Sequence, residues 1–197
     1  MVIAKCHGQG TITFDGPPVI NPDSAIFVKQ YYESGLSFTP INPMGTGFVR
    51  VGAQPSLQGL PDNGTSYLQA LLGSSLMFSS TNGSLFDLFS VDLAEYSTVL
   101  SNATTVHFVG YQQDGTIVTT DFITDGIIDG TGPLADFQTF FFPAKDWTGL
   151  TRVEIPFPRW SLDNLVLSIP EPTTGSLLLL GGAILWTRGL SRKRRRP

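Results

Sequence analysis

An all-β fold, two antiparallel sheets packed as a sandwich, is what three features of this 197-residue sequence predict. Phe (14), together with Val, Ile, Thr and Tyr, supplies side chains that suit pleated, half-buried surfaces. Gly (21) and Pro (14) interrupt the apolar stretches every few residues, which leaves no room for long soluble helices. Several short segments alternate apolar and polar residues at a period of two, as half-buried strands do. A short transmembrane helix at the C-terminus completes the predicted architecture.

Taken in order, residues 1–10 (MVIAKCHGQG) read as a disordered N-terminal segment. An exported chain should open on a basic stretch and an apolar run, and here only MVIA precedes Lys5. Either the chain is not exported by that route, or these residues are the remnant of a leader that begins further upstream; the other end of the chain favours the second reading. The sandwich domain is expected over 11–169. Its strands are GTITFD, SSLMFSS, LFDLFSVDLA, TVHFVGY, TIVTTDFIT, FQTFFF, LTRVEIPF and SLDNLVLSI. Within TVHFVGY, alternation puts Val106, Phe108 and Gly110 on one face and His107, Val109 and Tyr111 on the other. Asp114-Gly115 predicts the hairpin turn that follows. Phe27, Phe38, Phe48, Phe78, Phe86, Phe89, Phe108, Phe122 and Phe140 are the expected core.

Charge divides the chain. Up to Pro170 there are six Lys+Arg (Lys5, Lys29, Arg50, Lys145, Arg152, Arg159) against fifteen Asp+Glu, so the body is near −9. Beyond it stand six Lys+Arg against Glu171 alone, near +5. An acidic body argues against nucleic acid, whose phosphates need a basic face. Cys6 is the single cysteine, so no intrachain disulfide is possible.

Catalytic residue patterns are scarce. Cys6 and His7 are adjacent without a third group to orient them, and His107 lies mid-strand. No HExxH, GxSxG, P-loop or paired-cysteine zinc pattern occurs. Asp121, Asp125, Asp129 and Asp136 fall close together in sequence, but DGIIDGTG matches neither the EF-hand nor the nonapeptide calcium pattern; turn capping explains them equally well. A carboxylate pair beside a sugar cleft would make the domain a hydrolase. Tyr31, Tyr32, Tyr67, Trp147 and Trp160 sit in or beside predicted loops, and an exposed pair, Trp147 with Trp160 above all, would give a stacking platform for a glycan; most aromatics in such a fold are core instead.

The tail reads differently. Thr173 to Thr187 carries no charge, and as a helix it reaches about 22 Å, short of a hydrocarbon core of about 30 Å. The transmembrane segment is Ser176, Leu177, Leu178, Leu179, Leu180, Gly181, Gly182, Ala183, Ile184, Leu185 and Trp186. Arg188, Arg192, Lys193, Arg194, Arg195 and Arg196 anchor it on the cytoplasmic side, because clustered cations resist translocation. Such a stub is a temporary tether.

Pro170-Glu171-Pro172, an apolar segment and an Arg-rich end, in that order, resemble the PEP-CTERM sorting signal of exopolysaccharide-producing Gram-negative bacteria. The resemblance covers 170–197. It implies recognition in the inner membrane by an exosortase, a membrane protease, and delivery of the body to the cell surface or extracellular matrix, with exopolysaccharide as a partner. Two prolines around Glu171 hold the stretch extended, as a protease groove requires. More loosely, the run from Leu85 to Leu167 resembles the exported jelly-roll domains that precede such tails, which look like carbohydrate-binding modules. That likeness implies a structural or weak glycan-binding role without catalysis. It also implies a structural calcium between Asp15 in the first strand and Asp163 in the last, since jelly rolls bring their termini together.

Overall fold

The computed structural model describes residues 7–22, 24–41, 47–52, 59–70, 75–97, 102–128, 136–157 and 159–170. One compact unit is Gln9–Ile169. Glu171, Pro172, the apolar segment, the basic end, Cys6 and Asp129 lie outside the described residues.

Thirteen strands are described: β1 His7–Ile12, β2 Ala25–Val28, β3 Tyr31–Glu33, β4 Leu36–Pro40, β5 Phe48–Val51, β6 Tyr67–Ala70, β7 Leu76–Ser80, β8 Asp87–Glu95, β9 Thr105–Gln112, β10 Ile117–Ile123, β11 Gln138–Phe141, β12 Leu150–Ile155 and β13 Trp160–Pro170. One sheet has the order β11-β8-β13-β6-β5-β2, with β1 also pairing β13; the second has the order β10-β9-β12-β7-β4-β3. The registered pairs are antiparallel. The last eight strands make a jelly roll. β6-β13-β8-β11 and β7-β12-β9-β10 are its two four-stranded halves, the chain crossing between sheets at most steps. β1 to β5 widen both sheets beyond that eight-strand wrap.

The core lies between the sheets and is strongly aromatic. Phe38, Phe78 and Phe86 form a chain of ring contacts at 5.3 and 6.0 Å. Phe108 meets Phe122 and Phe142 edge-on. The expected alternation in β9 holds, with Val106, Phe108 and Gly110 buried against the core. Gly110 has no room for a side chain, since a Cβ there would stand 2.9 Å from both Leu150 and Val118. The Asp114-Gly115 turn also forms: Gly115 takes φ 89°, and the Asp114 carboxylate accepts the Thr116 N–H at 2.9 Å.

Four expectations change. His7–Gly10, expected disordered, belong to β1. Five strands between Ala25 and Ala70 were not predicted, because AIFV, YYE, LSFTP, FVRV and YLQA are three to five residues long and too short to show a period. Phe27 is 71% exposed, because β2 closes one edge of its sheet and this side chain falls on the outward face opposite Val49. Phe89, 36% exposed, precedes the outward-facing Ser90 where β8 meets the end of β11. Phe14 and Phe142 join the core in their place, and Phe137 is buried in a separate cluster with Tyr67, Val49, Val51 and Ala94.

A polar knot holds the crossing after β1. Arg50, fully buried, donates to the carbonyls of Gly16 and Pro18 and lies 4.7 Å over the Tyr31 ring. Glu33 accepts from the N–H groups of Thr13 and Phe14 and from the Tyr31 hydroxyl. These bonds satisfy backbone that has left the ladder, where an unpaired buried group would be costly.

Candidate functional site

The outward face of the second sheet carries the most chemistry. Register alone aligns a row across all six of its strands: Ile117, Tyr111, Arg152, Ser79, Ser37 and Tyr32. Beside it runs a second row, Thr119, Val109, Glu154, Met77 and Thr39. Six strands spaced about 4.8 Å apart make a strip of roughly 24 Å.

A bulge sets the centre of this strip. Between Leu150 and Arg152 the pairing of β12 with β9 slips, so Leu150 enters the core while Arg152 faces out. Thr151, the extra residue, donates its hydroxyl to the Tyr111 carbonyl at 2.9 Å. The Arg152 guanidinium then lies 3.8 Å over the Tyr111 ring. One oxygen of Glu154 accepts from Arg152 Nε at 3.1 Å and the other from the Tyr111 hydroxyl at 2.9 Å. Tyr111 orients the cation and Glu154 orients both, which leaves the Nη nitrogens of a half-exposed Arg152 as outward donors. Such pairs add little to stability.

Two further groups flank the centre. His107 Nδ1 pairs with the Asp121 carboxylate on the neighbouring strand, and exposed Phe157 packs its ring 6.4 Å from the imidazole. Tyr32 is exposed at the other end of the first row. By the β9–β10 hairpin a shallow depression of about 430 Å³ is lined by Leu85, Gln112, Gln113, Asp114, Thr148 and Gly149. Gln112 donates there to the carbonyls of Asp146 and Thr148.

The Trp platform is corrected. Trp147 is 0% exposed and Trp160 is 1% exposed. Trp147 donates its indole N–H to Thr120 Oγ1, and Trp160 donates to the Phe157 carbonyl. Both rings fill the core: the turn before β12 folds Trp147 back over the sandwich, and Trp160 is the first inward-facing residue of β13. Tyr31 and Tyr67 are buried as well. Alternation had put Tyr111 on the outward face; what the sequence did not disclose is that β12 pairs with β9, which brings Arg152 and Glu154 to it.

Asp15 and Asp163 do come to one place, the loop Asn63–Ser66. Asp15 accepts the Ser66 N–H at 2.9 Å. Asp163 is fully buried; one oxygen accepts from Asn63 Nδ2 and Thr65 Oγ1 and the other from the Asn164 N–H. Burial pushes its carboxyl up to about 7, against those three donors and with Asp15 adding a like charge. The side-chain oxygens of Asp163 thus face hydrogen-bond donors, whereas calcium takes six to eight oxygen ligands. Among the described residues no three His, Cys, Asp or Glu converge on a metal position. Asp121 pairs with His107, Asp125 caps its own turn through the Ile127 N–H, and buried Asp136 accepts from the Asp62 N–H. The carboxylates that do stand opposite each other, Asp92 and Asp163, are buried and bonded to Thr139, Asn164, Asn63 and Thr65. They offer no acid and base beside a cleft.

No family model and no curated protein matches the chain. Solved structures to which this chain is similar include a point mutant of the family 29 carbohydrate-binding module CBM29-2, at 10% identity and TM-score 0.34, covering 83% of this chain and 92% of that one. The family 11 carbohydrate-binding module of Clostridium thermocellum, solved with a β-1,3-1,4-mixed-linked tetrasaccharide, is similar at 8% identity and TM-score 0.32, covering 83% and 96%. The CBM22-1 and GH10 modules of xylanase 10B from Clostridium thermocellum, solved with xylohexaose, align at 13% identity and TM-score 0.31, covering 80% of this chain and 28% of that one. The jelly-roll description of this chain rests on its own strand order.

Proposed function

We propose that the sandwich is a non-catalytic glycan-binding module of the cell surface or exopolysaccharide matrix, and that it binds along the outward face of the second sheet. The observation that supports this reading is the six-strand row centred on Tyr111, Arg152 and Glu154. An extended polysaccharide presents hydroxyl edges and apolar ring faces in alternation. The Arg152 donors and the hydroxyls of Ser79, Ser37 and Thr39 suit the edges, while Phe157, Tyr32 and the guanidinium plane suit the faces. Arg152 is balanced by Glu154, and Asp121 is paired with His107, so the strip favours a neutral glycan over an acidic one.

Glycan-array screening of the purified chain, followed by calorimetry on the best binder, tests this. Arg152→Ala should weaken binding by about tenfold or more, the usual cost of a central anchor, with Lys29→Ala as an unaffected control. Absence of binding across the array, or equal affinity in Arg152→Ala, would remove the proposal.

Delivery is the second half of the proposal: an exosortase-type protease of the inner membrane processes the Pro170–Pro172 motif. β13 runs as far as Pro170, so cleavage after that point would leave the last strand entire. A reporter carrying residues 165–197 should be shortened and released only in cells that contain exosortase. Identical size and location with and without the enzyme would count against sorting.

A further inference from the structure

Four strands end the two sheet paths, β11 and β2 of four residues each, β3 of three and β10 of seven, and β1 of six lies off the path against β13. β10 (IVTTDFI) has no Pro, Lys or Gly and pairs with β9 along its whole length without a bulge. An edge this long and regular is a template for another strand, and proteins commonly blunt such edges. Ile117 is 58% exposed and Ile123 is 63% exposed, one at each end of it.

The ladder fixes which groups point outward. Gln112 N–H donates to the Thr116 carbonyl, and Thr124 N–H to the Thr104 carbonyl. By the antiparallel alternation, Thr116, Val118, Thr120, Phe122 and Thr124 bond to β9. The N–H and C=O groups of Ile117, Thr119, Asp121 and Ile123 therefore point away from it, and among the described residues no strand pairs with that side.

We propose that this edge binds the same edge of a second copy, antiparallel, about a two-fold axis at Thr120. That register sets Ile117 opposite Ile123 of the second copy and Thr119 opposite Asp121, and each of these pairs falls on outward-pointing backbone. Both isoleucines of each copy are covered by isoleucine, and each Asp121 meets a hydroxyl donor. On the inner side Val118 stands opposite Phe122, so the two cores continue into one another. The neighbouring two-fold registers are worse. An axis at Asp121 sets two carboxylates face to face, which cross-strand pairing disfavours, and an axis at Thr119 sets Ile117 against Asp121. The interface is self-complementary, as a two-fold contact must be. It joins the outward faces of two copies into one twelve-stranded surface, and it does not depend on what that face binds.

Sedimentation velocity of the full 197-residue chain over a concentration series tests it. The parent should show a concentration-dependent dimer. Thr119→Asp, which places carboxylate against carboxylate twice, should weaken dimerisation at least tenfold, whereas Thr119→Lys, which creates two ion pairs with Asp121, should strengthen it. Thr119→Pro removes an N–H that β9 does not use and should leave a folded monomer. Circular dichroism of each variant confirms the fold. A parent that stays monomeric throughout, or a dimer equally strong in Thr119→Asp and Thr119→Lys, overturns the proposal.

Discussion

Trp147→Ala should lower stability by about 3 to 5 kcal/mol, the range for removing a fully buried aromatic side chain. For a domain of this size that is a fall of roughly 10 °C in Tm. The residue sits in the turn between β11 and β12, yet it is anchored on several sides. Its ring lies 4.7 Å from Phe142 and meets Phe108 edge-on, its indole N–H reaches Thr120 on β10, and its carbonyl accepts the Leu88 N–H of β8. Truncation leaves a cavity where β8, β9, β10 and β12 converge. Trp147→Phe should cost far less, since most of the ring volume remains and the lost bond is to a half-buried hydroxyl. Thermal denaturation followed by near-ultraviolet circular dichroism checks both. If Trp147→Ala melted with the parent but lost glycan affinity, the ring would serve binding and not the core.

Asp163 should make stability fall as pH rises from about 5 to 8. Its carboxyl is held near 7 in the folded chain by burial, against about 3.9 when unfolded. Between those values the folded state holds a proton that the unfolded state has released. The stabilising contribution is therefore complete below about pH 4, is lost progressively toward pH 7, and does not change further above it. A separation of about three pH units is worth on the order of a few kcal/mol at most. Asp163→Asn cannot ionise, so its Tm should be flatter across this window even though one donor now faces its amide. Melting curves from pH 5 to 8, in chelator, measure the slope in both proteins. An unchanged slope in the variant would show that Asp163 is not the titrating group. Repeating the series with calcium in place of chelator tests the calcium expectation: an ion held by Asp15 and Asp163 needs the ionised carboxylate. It would raise Tm above pH 7 in the parent alone.

Much of the sandwich was legible because strands of six or more residues display their period. β8, β9, β10, β12 and β13 each expose enough positions to separate an inner from an outer face. Even there a bulge is invisible to periodicity. In β13, Trp160 and Leu162 face the core, and then Leu165 and Leu167 do. The change of parity falls at Asn164, which takes φ 44° as the register slips between Asp163 and Val166. The short strands β2 to β6 could not be read, and with them went Phe27, whose exposure follows from an edge position that only sheet order defines.

The candidate site was half legible for the same reason. TVHFVGY disclosed that His107 and Tyr111 share the outward face, and LTRVEIPF carries Arg152 and Glu154 one step apart. Their meeting depends on β12 lying beside β9, a pairing between distant segments. The two Trp residues misled for different reasons: a turn assignment says nothing about which way the turn at Trp147 folds, and Trp160 begins β13 on its inner face.

By itself the sequence determined the class of fold, the faces of the longer strands, the hairpin at Asp114-Gly115 and the contrast between an acidic body and a basic tail. Those are local properties, set by side-chain spacing, backbone preference and charge. Only the tertiary structure decided which strands became edges, which aromatics were buried and which side chains converged on Arg152. Each of those depends on segments far apart in the chain meeting in one register, and no local pattern encodes where a strand finds its neighbour.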